Sequence, residues 1–214
     1  MPRSYTLSDK ARTEREAQKQ ATRRALLDAA RTLVAERGVD GLSVVEVGRR
    51  AGVSHSLINA YFEGKAGLIS ALVKDFNAPQ LARSREIVAG PGTPEARLRA
   101  ILLAWAVFDL ADPALLRTLQ AHSWDWSDAA EAENRADRQQ GLEPVAQVIR
   151  EGQASGVFRD DLAMEDGLAA IWAIYTNGMR QAVYARPVLT PDEAVAAIWG
   201  QVAAVLFGAA RPVR

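Results

Sequence analysis

The chain has 214 residues, 49% of them apolar and 24% charged, the make-up of an ordinary globular protein, which excludes disorder as its dominant state. It contains no cysteine, so disulfides, thiolate nucleophiles and Cys-ligated zinc or iron–sulfur sites are excluded and a reducing cytoplasm is the simplest compartment. The net charge is zero but uneven: 13 basic and 9 acidic residues through Phe76, then 13 basic and 17 acidic, so a basic head precedes an acidic body.

Apolar residues recur at helical spacing and sustained period-2 alternation is missing, which predicts an all-α chain of about nine helices. The first strong helix carries Leu26, Ala30, Leu33 and Val34 on one face and stops at Gly38. Upstream, the charged, Gln-rich stretch from Asp9 to Thr22 is expected to be a frayed extension, with residues 1–20 least ordered. Ser43 can cap the amides of Val45 or Glu46 and open a short helix that ends at Gly52; Ser54 then caps a second, to about Phe62. From Lys65 a long helix turns Leu68, Ile69, Leu72, Val73 and Phe76 inward, and Pro79 is expected to kink or interrupt it.

Gly90, Pro91 and Gly92 break the chain, after which Thr93 and Pro94 open a helix. Asp112 and Pro113 open another towards Trp126, and Thr190 and Pro191 open the last, where Glu193 completes a capping box. A helix ending at Ser155 and Gly156 has Pro144 either as a kink or as its true start. The helix from about Met164 to Ala185 is expected to bury Leu168, Ile171, Trp172, Tyr175, Met179 and Ala182, and the last one Val195, Ile198, Trp199, Val202 and Leu206. The expected organisation is a three-helix N-terminal domain, residues 1–76, and a C-terminal helical bundle, residues 77–214. The longest apolar run, Ala100 to Phe108, has nine residues against the roughly 20 that cross a bilayer, and no signal-peptide core opens the chain, so no membrane partner is expected.

The informative stretch is Ser43 to Lys65, SVVEVGRRAGVSHSLINAYFEGK, in which two short capped helices flank a glycine turn. Val47 and Ala51 pack the first helix, Val53 plugs the turn and Ile58 anchors the second, the pattern of a helix-turn-helix; an αα-hairpin inside a helical bundle is the other reading. The second helix would present His55, Ser56, Leu57, Asn59 and Ala60, without long side chains to hold it off the floor of a major groove.

From Arg24 to Phe76 the chain resembles the N-terminal domain of TetR-family transcriptional regulators. The resemblance rests on Ala29 and Ala30, then Glu36, Arg37 and Gly38, the loop to Ser43, then Ala51 to Ser54, and finally Tyr61, Phe62, Lys65, Leu68 and Ile69, all without gaps. The run LINAYFEGKAGLI further resembles the branch of choline-responsive repressors, and Gly152, Gly156, Val157, Phe158 and Gly178 resemble the family in the C-terminal part. The resemblance implies that Tyr61 and Lys65 touch phosphate, as does Ser43 at the mouth of its helix, and that His55 meets phosphate or base. It places Ser56 and Leu57 near base edges, Leu57 suited to a thymine methyl, while Ser54 and Asn59 complete the DNA-contacting set. Leu57 stands where the family commonly has Thr and Asn59 where it commonly has an aromatic residue, departures that bear on sequence preference.

Catalysis finds no support: the two histidines, His55 and His122, are 67 positions apart, and no nucleophile elbow, zinc-protease motif or phosphate loop occurs, so neither an enzyme, a metal nor a cofactor is expected. Trp105, Phe108, Trp124, Trp126, Trp172 and Tyr175 fall in the middle helices of the C-terminal part, where they are either plain core or an effector pocket. In the second reading Asp109, one turn past Trp105, and Asp125, between two indoles, favour an organic cation; an apolar aromatic needs only the rings. His122 lines that pocket or satisfies a backbone carbonyl. Small residues on the last two helices, Ala169, Ala170, Ala173, Ala196, Ala197, Ala203 and Ala204, suggest a four-helix seam between two copies. Ile171, Gly178, Ala182, Ile198, Trp199, Val202 and Leu206 are expected in that homodimer interface. Together with the resemblance, these features predict a homodimeric repressor on a palindromic double-stranded DNA operator, released by a small-molecule effector; a body controlled by a protein partner is the alternative.

Overall fold

The structure, a computed structural model, describes residues 9–122 and 127–207. Among the described residues there are nine helices: α1 (Asp9–Arg37), α2 (Val44–Ala51), α3 (Ser56–Phe62), α4 (Lys65–Ala89), α5 (Pro94–Ala111), α6 (Pro113–His122), α7 (Asp128–Ala154), α8 (Met164–Tyr184) and α9 (Pro191–Phe207). The chain divides into two compact units, Met1–Val73 and Lys74–Arg214, and the division falls within α4.

In the first unit Leu26, Leu27, Ala30, Leu33 and Val34 of α1 are buried, as are Val47 of α2, Ile58 and Phe62 of α3, and Leu68 and Leu72 of α4. The 3.6-residue period of α1 thus provides one wall of a small core, and the left-handed Gly38 ends that wall by donating its amide to Val34 O at 2.9 Å. The stretch expected to fray is continuous with α1 from Asp9, and from Arg12 to Ala21 its side chains are exposed. The i, i+4 pairing of Glu16 with Gln20 supports a helical segment that has little to pack against.

The second unit is built around α5, whose Leu98, Ile101, Leu102, Trp105 and Ala106 are buried in one cluster with residues of α7, α8 and α9. Its helix starts follow the sequence: Thr93 Oγ1 accepts from Ala96 N at 3.2 Å and Asp112 Oδ1 from Leu115 N at 3.0 Å. At α9, Thr190 N donates to Glu193 Oε2 at 2.8 Å and Glu193 N to Thr190 Oγ1 at 3.3 Å, the reciprocal pair of a capping box. Neither proline interrupts or begins its helix. Pro79 lies inside a continuous α4, on its exposed side, where water can serve the carbonyl that loses its partner; Pro144 lies inside a continuous α7 that begins at the Ser127 cap.

The expected dimer residues need correction. Ile171, Gly178, Ala182, Ile198, Val202 and Leu206 are all buried within the single chain. Gly178 serves the α8–α9 contact itself, since a Cβ there would lie 2.3 Å from Ile198 Cγ2. Only Trp199 is partly exposed, with the Arg99 guanidinium 5.4 Å above its ring. The small residues that α8 and α9 leave exposed are fewer than expected: Ala169 and Ala173 on one, and Ala196, Ala197, Gly200 and Ala204 on the other.

Candidate functional site

The turn between α2 and α3 is fixed by backbone geometry. Ser43 accepts from Glu46 N at 3.4 Å to cap α2, and Gly52, with φ 68°, ends it in the left-handed conformation that a glycine adopts at no steric cost. Val53 N then donates to Gly48 O at 3.0 Å, folding the chain back so that a Cβ on Gly48 would lie 2.8 Å from His55 N. α3 starts one step later than the sequence suggested: Ser54 Oγ accepts from Ser56 N at 3.3 Å, but the cap position itself is His55, whose side chain makes no capping bond. Glu63, left-handed at φ 59°, and Gly64 then redirect the chain into α4.

Most of the expected DNA-contacting residues lie open on this unit. Ser43, Ser54, His55, Ser56, Asn59 and Lys65 are exposed, whereas Leu57 and Tyr61 are half-buried. Ile58 and Phe62, the other face of α3, are buried and anchor it, with Arg23 stacked 5.3 Å over the Phe62 ring. Lys65 Nζ donates to Asp40 O at 3.4 Å, in the loop that leads to Ser43. The charges of α2 are strongly paired. Arg49 and Arg50 both donate to Glu46, and Arg50 also forms a two-bond fork with Glu36 at 2.7 and 2.8 Å. Arg49 and then Arg50 hold the Glu46 carboxyl down at about 2.

The second unit contains a buried polar cluster. Asp109 is 5% exposed, Tyr175 Oη donates to its Oδ2 at 2.7 Å, and Gln80 Nε2 donates to its Oδ1. Burial raises the carboxyl to about 6, against the lowering effect of these two bonds. Burial and the neighbouring carboxylate push the Tyr175 hydroxyl well up. Beside them Trp105 Nε1 donates to Ser84 Oγ at 2.8 Å, and Ser84 Oγ donates to Gln80 O at 2.7 Å. The Trp105 ring stands edge-on to Tyr175 at 5.2 Å and to Trp172 at 6.4 Å.

An open cavity of about 310 Å³ lies against this cluster. Its wall is Trp105, Trp172, Leu81 and Ala78, and its polar side is Lys74, Asn77 and Gln80 of α4 with Asn134, Asp137, Arg138 and Gln140 of α7. Of the expected pocket residues, Trp105 and Trp172 line it. Asp109 does not reach its surface, both oxygens being bonded inside the protein, which corrects the expectation of a carboxylate beside a bound cation. Tyr175 is buried with Asp109, and Phe108 is half-buried and forms no part of the wall. Trp124, Trp126 and the side chain of His122 lie outside the described residues.

The polar residues of α4 escaped the sequence reading although a signal exists. Leu68, Leu72, Phe76, Gln80, Ser84 and Val88 recur every four residues, so Gln80 and Ser84 interrupt an apolar stripe. Polar residues at inward positions mark a hydrogen-bonded interior or a ligand. Among the described residues no helix is long and apolar enough to cross a membrane, and no group of acidic and histidine side chains is placed to hold a metal ion.

Similarity to known proteins divides along the same line. Residues 26–72 match the family described as bacterial regulatory proteins, tetR family. The HTH-type transcriptional regulator BetI of Pectobacterium carotovorum is 35% identical over 82 residues, 37% of this chain and 42% of that protein; BetI of Escherichia coli is 34% identical over the same length. The chain therefore spans about two fifths of the curated relatives it matches. Among solved structures, FadR from Bacillus subtilis in complex with stearoyl-CoA has a TM-score of 0.76 at 18% identity, covering 87% of this chain and 98% of that one. SmeT, the repressor of the Stenotrophomonas maltophilia multidrug efflux pump SmeDEF, has a TM-score of 0.68 at 17% identity, covering 90% and 97%. At such identities the likeness concerns the fold, which is all-α over nearly the whole length. Residues 26–72 thus match the tetR family of bacterial regulatory proteins, and beyond them the likeness is one of all-α fold.

Proposed function

We propose that the protein is a homodimeric transcriptional repressor of the cytoplasm, which binds a partly palindromic DNA operator through α2 and α3 and leaves it when a small molecule occupies the second unit. The observation that carries the DNA-binding part is the Gly48–Gly52 turn, which presents an exposed α3 face of small and medium side chains anchored from behind by Ile58 and Phe62. Supporting the effector part are the cavity of the second unit and two neighbours of the same fold, one solved with stearoyl-CoA and one described as an efflux-pump repressor. Release results if the ligand binds the DNA-incompetent arrangement more tightly than the competent one.

Titration of labelled DNA from the region upstream of the gene tests the reading. Lys65→Ala and Tyr61→Phe are expected to weaken binding to operator and unrelated DNA alike, because phosphate contacts position the protein without reading sequence. Substitutions at Leu57 or Asn59 are expected to change base preference at one operator position, by about 1–3 kcal/mol between bases. Equal binding by all four variants would place the DNA-reading surface elsewhere.

The exposed alanines of α8 and α9 fit a seam with a second copy. Ala204→Glu, at an exposed position outside the chain's own core, is expected to convert dimers into monomers by light scattering at micromolar concentration. An unsubstituted protein that is itself monomeric there would overturn the dimer and with it the palindromic operator.

A further inference from the structure

Asp109 gives the cavity a polarity that its lining alone does not show, and the class of ligand this polarity selects rests on reading the cavity as the effector site. An ionised carboxylate only accepts hydrogen bonds, and Asp109 accepts one from the Gln80 amide and one from the Tyr175 hydroxyl. The Gln80 amide nitrogen is thereby turned to Asp109, and its carbonyl oxygen Oε1 is the branch left for the cavity that Gln80 lines. Its main-chain carbonyl accepts from Ser84, and Ser84 accepts from the Trp105 indole, so Trp105 offers ring surface with its N–H already satisfied. Charged groups at the cavity have partners: Lys74 pairs with Glu133 and with Asp137, itself a lining residue, and Arg138 pairs with Glu131. The site therefore combines indole rings, an oriented acceptor and charges held in ion pairs.

We propose that the effector is an uncharged planar ring compound with a hydroxyl or N–H donor on its rim, the donor meeting Gln80 Oε1 and the ring lying against Trp105 and Trp172. A volume of about 310 Å³ stands at the lower end of the roughly 300–1,000 Å³ of small-molecule sites, which suits one or two fused rings and not a long acyl chain. An organic cation finds no open counter-charge in Asp109, whose oxygens are both bonded behind Gln80. Asp109 acts here as a positioning residue: it decides which end of the Gln80 amide faces the ligand.

The experiment is calorimetric titration of the full chain near neutral pH with three probes of one shape: 2-naphthol, its methyl ether 2-methoxynaphthalene, and trimethyl(2-naphthyl)ammonium. The expected result is that 2-naphthol binds about tenfold tighter than the ether, the worth of one hydrogen bond, and that the cation binds no tighter than the ether. Asp109→Asn replaces one of the two acceptors by a donor, so the Gln80 amide is no longer held in one orientation and the preference for 2-naphthol over the ether falls towards one. Gln80→Leu removes the acceptor and abolishes the same preference by a second route. An ether as tight as 2-naphthol, a cation that binds best, or no binding of any probe overturns the proposal. Operator binding by the same preparation is measured alongside; if it persists where the probes fail, the ligand assignment falls and the DNA-binding reading stands.

Discussion

Leu33→Ala is expected to abolish operator binding at physiological temperature while leaving the tryptophan emission of the protein unchanged. Leu33 is completely buried in the first unit, and a Leu→Ala cavity in such a core costs about 2–5 kcal/mol. A domain built from three helices and the first turns of a fourth buries little apolar surface per residue, so that loss is a large share of its stability. All five tryptophans lie beyond Lys74 and report only the second unit. Anisotropy titration with labelled operator, paired with melts followed by helicity and by tryptophan emission, checks both halves of the expectation. Undiminished DNA binding would show that the three-helix unit does not carry it, and emission lost at the same lowered temperature would show that the second unit's fold depends on the first.

The second large effect is a pH dependence at Asp109. Its carboxyl titrates near 6 in the folded chain against 3.8 for the ordinary side chain, because burial penalises the charge. Between these values the folded state holds a proton that the unfolded state has released, so stability is greatest below the lower value and falls as pH rises through the upper one. The difference corresponds to about 3 kcal/mol, all of it lost above the folded-state value. Asp109→Asn carries no charge into the core. It is expected to gain up to about that amount in mildly alkaline buffer and nothing in acid, less whatever its amide loses in hydrogen-bond geometry with Tyr175 and Gln80. Urea unfolding followed by tryptophan emission on both sides of the window measures it; parallel pH profiles for the two proteins would remove Asp109 as the source.

The helix-turn-helix was legible because each of its devices is local. A serine cap, a left-handed glycine and a buried position on each helix lie within twenty residues and leave little for tertiary context to decide. The same holds for the Thr190–Glu193 box. Proline was less legible, since whether Pro79 or Pro144 breaks a helix depends on whether packing and solvent compensate one missing N–H. The inward faces of α8 and α9 were legible, since Ile171, Tyr175, Met179, Ala182, Val195, Ile198, Val202 and Leu206 are buried as their period predicts. The seam was less so, because residues of those same inward faces were also assigned to a second copy, and periodicity does not say whether a buried face meets its own chain or another. The cavity was half legible: aromatic residues announced Trp105 and Trp172, but the direction in which Asp109 spends its oxygens is set by Gln80, 29 residues away, and Tyr175, 66 residues away.

The pairing of Arg49 and Arg50 with Glu46 and Glu36 changes what the basic N-terminal stretch means. The excess of positive charge in that stretch already counts Glu36 and Glu46, so the pairing leaves the sum unchanged and instead occupies two arginines near the helix-turn-helix with partners of their own chain. A cation displaces condensed counterions from DNA only by replacing them at phosphate, about 0.9 of an ion for each phosphate neutralised. Arg49 and Arg50 would then add little to the ions released on DNA, and the salt dependence of binding would fall to the basic residues outside this cluster, Lys65 among them.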